Sequence, residues 1–191
     1  DENGLPKDIE NPKVISIDTE TTGLSLVRDR LCLIQIALSK KECHIVKFDK
    51  SNKNLPYKSP EIRKLLENKS IQKVFHYARF DVAVIKKSFN ISIKNIFCTK
   101  IASKLVRTYT DKHGLKDLCK ELLNIDMNKS QQSSDWSSNN LSDSQIKYAS
   151  YDVIFLFELK LILEKMLKRE GRTEIADSAF EFLPTRIKMD F

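Results

Sequence analysis

The chain has 191 residues, 41% hydrophobic and 31% charged, with 4 glycines and 5 prolines; that is enough for one domain with a real core, and it excludes fibrous repeats and intrinsic disorder. Lysine and arginine number 33 against 26 acids, a net charge of +7, which suits a polyanionic partner because each neutralised phosphate releases counterions, although many basic domains bind nothing charged. No apolar run approaches the roughly 20 residues that span a bilayer, and the acidic, polar start has no signal-peptide pattern, so no membrane association and a cytoplasmic location are expected, with the reservation that the chain opens at Asp1 rather than Met.

In chain order, residues 14–17 form a short apolar run ending on an acid, and residues 31–38 a longer one beyond the turn-forming stretch 21–30. A third run, 43–48, follows a charged break, so a meander of three strands opens the domain. Pro60 marks a helix start, with Ile62, Leu65 and Leu66 on one face of 61–67. A brief strand at Val74 and Phe75 leads to a helix over 78–89. A further apolar run at 93–97 precedes helical stretches at 99–106 and, after Gly114, 115–123. Strands now alternate with helices, which predicts an α/β layer around a mixed sheet whose first strands are antiparallel.

Residues 124–141 are rich in Ser, Asn and Gln and read as a surface loop carrying Trp136, a residue for a loop-anchoring core contact or for stacking on a base. Ser142 with Gln145 three residues on makes a capping box. Apolar residues Ile146, Ala149, Val153, Leu156, Leu159 and Leu163 then keep helical spacing, which predicts one long helix to about Leu167. Beyond Gly171 no element is assigned. Cys32, Cys43, Cys98 and Cys119 are far apart, without zinc spacing, and are expected as reduced, buried side chains.

Asp18 and Glu20 lie two apart at the end of the first strand, so both carboxylates point to one side of the sheet and can share a cation. A solvated strand end explains that pair equally well. Asp81 sits in the first turn of its helix, where the positive terminus favours any anion. Asp152 is mid-helix among apolar neighbours, where an unpaired acid is costly to bury, and Tyr148 is four residues earlier on the same face. Taken singly, each of the five has a structural explanation.

Together they resemble the DEDD family of 3′-5′ exonucleases, and most closely the ribonuclease D group of its tyrosine branch. The first motif is 14–24 (VISIDTETTGL), the second 75–81 (FHYARFD) and the third 141–153 (LSDSQIKYASYDV), with 129–136 (KSQQSSDW) similar to the family's lead-in to the third. The histidine branch has His one position before the tyrosine, where this chain has Lys147. In the stretch after Trp136, where the family often has Arg-Pro, this chain has Asn139 and Asn140.

The resemblance covers about 14–167 and implies an α/β, ribonuclease H-like fold, a mixed central sheet flanked by helices, in which the four acids converge. It implies a single exonuclease domain over 1–191, without the accessory nucleic-acid-binding domain that longer members carry. The implied activity is two-metal-dependent 3′-5′ exoribonuclease hydrolysis releasing nucleoside 5′-monophosphates. The partner is then nucleic acid, RNA ahead of DNA, with DNA proofreading or repair as the alternative and a non-catalytic nucleic-acid-binding module as a third reading. Two Mg²⁺ or Mn²⁺ ions are implied: Asp18 bridging both, Glu20 and Asp152 holding the one that activates water, Asp81 helping to hold the other largely through water, and Tyr148 orienting that water. Thr22, Gly23 and Leu24 touch the terminal nucleotide in relatives. Arg28, Arg30, His76 and Arg79 are candidates for phosphate, or equally solvated basic residues and a satisfied core histidine.

Overall fold

The computed structural model describes residues 4–6, 9, 12–49, 55–128 and 130–191. Three antiparallel strands come first: β1 (Val14–Thr21), β2 (Leu31–Ser39) and β3 (Glu42–Lys47). Next come α1 (Pro60–Glu67), β4 (Gln72–Phe75), α2 (Ala78–Phe89), β5 (Ile96–Cys98), α3 (Thr99–Val106) and α4 (Leu115–Leu123). The chain ends with α5 (Asp143–Ile154), α6 (Leu156–Arg169) and α7 (Thr173–Lys188).

The five strands form one sheet in the order β3-β2-β1-β4-β5, with β1–β4 and β4–β5 parallel. This is the mixed α/β sheet expected from the sequence. Seven consecutive residues of β2, from Leu31 to Ala37, are buried, because helices cover both faces of the sheet and leave no solvent side for polar residues to alternate onto. Lys73 of β4 is fully buried and donates to the carbonyls of Asn68 (2.5 Å) and Lys94 (3.0 Å), tying together the loops that enter β4 and β5.

Ser142 and Gln145 form the expected capping box: Ser142 Oγ accepts from Gln145 N at 3.2 Å and Gln145 Oε1 from Ser142 N at 2.9 Å. The single long helix predicted beyond it is two. Phe155 interrupts the ladder between them; α5 packs on β1, β2 and β3, whereas α6 packs mainly on α3 and α4. Ile146, read as a core position, is exposed, and Gln145 is buried in its stead.

The segment beyond Gly171, which the sequence left unassigned, is helix α7. It buries Ala176, Phe180, Leu183 and Ile187 despite Pro184 inside it. Cys32, Cys98 and Cys119 are buried, as expected, but Cys43 is only half-buried; none of the four is in a disulfide.

Candidate active site

Parallel pairing of β1 with β4 sends both strands toward the same edge of the molecule, so the end of β1 and the start of α2, which follows β4, meet there. Side chains alternate along β1. Ser16 points to one face and donates through Oγ to the Val153 carbonyl of α5 at 2.6 Å. Asp18 and Glu20, in phase with Ser16, therefore face α5, which supplies Asp152. Carboxylate oxygens of Asp18, Glu20 and Asp152 lie within 4.8 Å of one another.

Asp81 comes from the other side. Thr19, out of phase with its two acidic neighbours, faces the first turn of α2 and donates to Asp81 Oδ1 from its backbone N–H at 3.1 Å and from Oγ1 at 2.6 Å. Asp81 and Asp152 are buried; Asp18 and Glu20 are half-buried. Gln35, opposite Asp18 in the register of β1 and β2, donates to Asp18 Oδ2 at 3.4 Å.

Crowded carboxylates with little water around them bind protons tightly. Burial pushes Asp18 up to about 7, against a backbone hydrogen bond at Thr19 that lowers it. Burial, and then the charges of Asp18, Asp152 and Asp81, push Glu20 up to about 10. Asp81 is held well above the usual carboxylate range by burial and by Asp18, partly offset by its hydrogen bonds from Thr19. Burial, followed by the charges of Asp152, Glu20 and Asp18 and a hydrogen bond with Asp152, raises Tyr148 above its ordinary value. A set of carboxyl groups that repel one another in this way lacks its counter-charge. An all-oxygen donor set of this size fits a hard divalent cation such as Mg²⁺ or Mn²⁺.

Asp18, Glu20 and Asp152 open into a cleft of about 350 Å³ lined, among others, by Leu24, His76, Tyr77, Lys100, Lys116 and Tyr148. Leu24 stands over it, 84% exposed. Lys100 and Lys116 supply positive charge, and Lys100 Nζ also lies 4.3 Å from the centre of the Tyr77 ring. Neither lysine was selected by sequence reasoning. Their signal is weak, because Lys at the start of a helix is common and only the fold brings α3 and α4 to this edge.

Of the expected substrate contacts, Leu24 and His76 line the cleft, with His76 Nδ1 2.9 Å from Thr99 Oγ1. Thr22 and Gly23 do not. Thr22 Oγ1 donates to Asp29 at 3.2 Å, and a Cβ on Gly23 would meet the Asp29 carboxylate at 2.6 Å, so both positions serve the packing of their own loop. Arg79 is engaged elsewhere: its guanidinium bonds both carboxylate oxygens of Asp190 beyond α7, at 2.5 and 2.7 Å. Arg30 bonds the carbonyls of Leu31 and Phe48 at 3.3 and 3.2 Å, and Arg28 lines an adjoining pocket that shares Thr21 and Phe80 with the cleft of the acids. Trp136 is buried, 5.9 Å between ring centres from Tyr148, in the core-contact role. Lys129, at the head of the lead-in stretch, lies outside the described residues.

A family model described as 3′-5′ exonuclease matches residues 3–168. DNA polymerase I of Aquifex aeolicus is 35% identical over 188 residues, 97% of this chain and 29% of that protein. Ribonuclease D of Bartonella henselae is 30% identical over 175 residues, 92% of this chain and 42% of that one. The chain thus spans less than half the length of these curated relatives. Among solved structures, NrnC of Brucella melitensis bound to pGG superposes with a TM-score of 0.92 at 46% identity, covering 98% of this chain and 90% of that one. The same protein with bound Mg²⁺ gives 0.91 at 45%, with the same coverage.

Proposed function

From the premise that the chain belongs to the DEDD 3′-5′ exonuclease family, we propose that it hydrolyses RNA from the 3′ end, releasing nucleoside 5′-monophosphates. The observation that carries this is the convergence of Asp18, Glu20 and Asp152, with oxygens within 4.8 Å, beside Tyr148 in an open cleft.

Members of this family depend on metal, and Asp18, Glu20 and Asp152 are the residues to hold two Mg²⁺ or Mn²⁺ ions, with Asp81 behind them. When bound, such ions activate water and neutralise charge on the departing oxygen. Asp81 is fixed by Thr19 and adds negative charge without entering the cleft lining. Tyr148, with its pKa raised, keeps its proton near neutral pH. Its hydroxyl therefore acts chiefly by orienting the attacking water, and little as a base. Leu24 offers an apolar contact to the terminal base, and Lys100 and Lys116 offset phosphate charge. Water adds to phosphorus and the upstream 3′ oxygen leaves with a proton, so the terminal residue departs carrying a 5′-phosphate.

A second reading, DNA as substrate, draws on the 35% identity to DNA polymerase I. Digestion of 5′-labelled RNA and the matching DNA with Mg²⁺ or Mn²⁺ separates the two. We expect a ladder shortening from the RNA 3′ end, slower loss of DNA, hydrolysis of pGG, and no ladder from Asp18→Ala. Full activity in Asp18→Ala would overturn the site, and faster loss of DNA would select the second reading.

A further inference from the structure

A second cleft, of about 420 Å³, opens on the far side of Tyr148. It shares Met127, Asn128 and Tyr148 with the cleft of the acids, so the two are continuous around one aromatic side chain. Its floor is the outward face of α5. Tyr151, 40% exposed, lies one helical turn beyond Tyr148, its ring 5.2 Å from that of Phe155, and the Lys147 ammonium sits 5.6 Å from the Tyr151 ring centre. Residues three apart on a helix are neighbours, about 5–6 Å between Cβ atoms, so a polymer passing Tyr148 meets Tyr151 next.

The polar groups here suit a nucleic acid. Lys147 is exposed and engaged only with the aromatic ring among the contacts described, while Asp126, the one carboxylate lining this cleft, is neutralised by Lys120 at 2.6 Å. Lys147 occupies the position at which the histidine branch carries its histidine, yet it lines this second cleft and not that of the acids. Aromatic faces beside a cation in a groove are how single strands are held without regard to sequence.

We propose that this cleft is the subsite for the nucleotides upstream of the two that flank the scissile bond, a base stacking on Tyr151 and its phosphate meeting Lys147. It rests on the exonuclease reading above and adds where the rest of the strand lies. The subsite is used by a longer oligonucleotide and is out of reach of a dinucleotide seated on the acids.

The test compares hydrolysis of a ribo-heptamer with that of pGG. In Tyr151→Ala and in Lys147→Ala, kcat/KM for the heptamer relative to pGG should fall roughly 5- to 10-fold, through KM, the size of one lost stacking or phosphate contact. Tyr151→Phe, which keeps the ring, should retain the parent ratio. An unchanged ratio in Tyr151→Ala, or a loss in Tyr151→Phe equal to that in Tyr151→Ala, would overturn the subsite. Heptamer affinity is also read by fluorescence anisotropy in an Asp18→Asn background, without hydrolysis. If the parent protein cleaves neither substrate, the exonuclease reading fails, and the anisotropy still decides the subsite: weaker binding in Tyr151→Ala supports it and equal binding rejects it.

Discussion

Tyr148 holds its proton through burial and through repulsion of a phenolate by Asp152, Glu20 and Asp18. Replacing it with Phe removes the hydroxyl and leaves the carboxylates in place. We expect Tyr148→Phe to lower kcat by roughly 10²-fold, the size of loss that misplacing a reacting group brings, while Mg²⁺ or Mn²⁺ affinity measured by calorimetry stays near that of the parent. Undiminished kcat would remove Tyr148 from the reaction. The five residues of the candidate site were legible because three spaced motifs occur in order, even though each acid alone has a bland explanation. Thr19 was not legible. It stands between two acids in the sequence, but only the strand phase reveals that it faces the other way and holds Asp81. The ion pair of Arg79 was hidden for the converse reason, since its partner Asp190 lies 111 residues away, beyond a helix that was not foreseen.

At the scale of elements, α5 carries both Tyr148 and Asp152 and is started by the Ser142–Gln145 capping box. Ser142→Ala removes one acceptor for the free N–H groups of the first turn and should cost about 1 kcal/mol. For a chain of this length that corresponds to a melting point lower by about 2–4 °C, with kcat at low temperature little changed because both candidate residues lie beyond the first turn. A melting point equal to the parent's would show that the cap contributes nothing. The cap was readable from four residues, whereas the break at Phe155 was not. Leu156, Leu159 and Leu163 continue the periodicity of α5 across it, so no local pattern marks the place where the ladder breaks. In α7 the spacing of Ala176, Phe180, Leu183 and Ile187 is helical, but Pro184 and the charged residues between them obscured it.

For the whole molecule, the acids set a link between protons, metal and stability. An unfolded chain has these carboxyls near 3.8 and 4.5, whereas the folded, metal-free protein holds Asp18 at about 7 and Glu20 at about 10. Between those limits the folded state binds more protons than the unfolded one, so metal-free stability falls as pH rises. In the presence of a chelator, the melting point at about pH 9 should lie a few degrees below that at about pH 6. Mg²⁺ or Mn²⁺ should recover most of the difference, because cations replace the protons. Glu20→Gln should flatten the slope; the same slope in that variant would place its origin outside Glu20. The sheet order and this convergence were reachable from the sequence only by family resemblance, since strand adjacency such as β1 beside β4 is fixed by contacts that no local pattern encodes.

The alternation along β1 has a bearing on how the chain finds its fold. Ile15 and Ile17 are fully buried on the face that Thr19 shares, and Ser16, Asp18 and Glu20 take the other. A pairing slip of one residue exchanges the two faces of a strand. Here it would drive two carboxylates into the apolar packing and turn the isoleucines toward the open cleft, an arrangement penalised on both sides. The acids of the candidate site thus also help to specify the pairing register of the central strand, by making the slipped sheet costly.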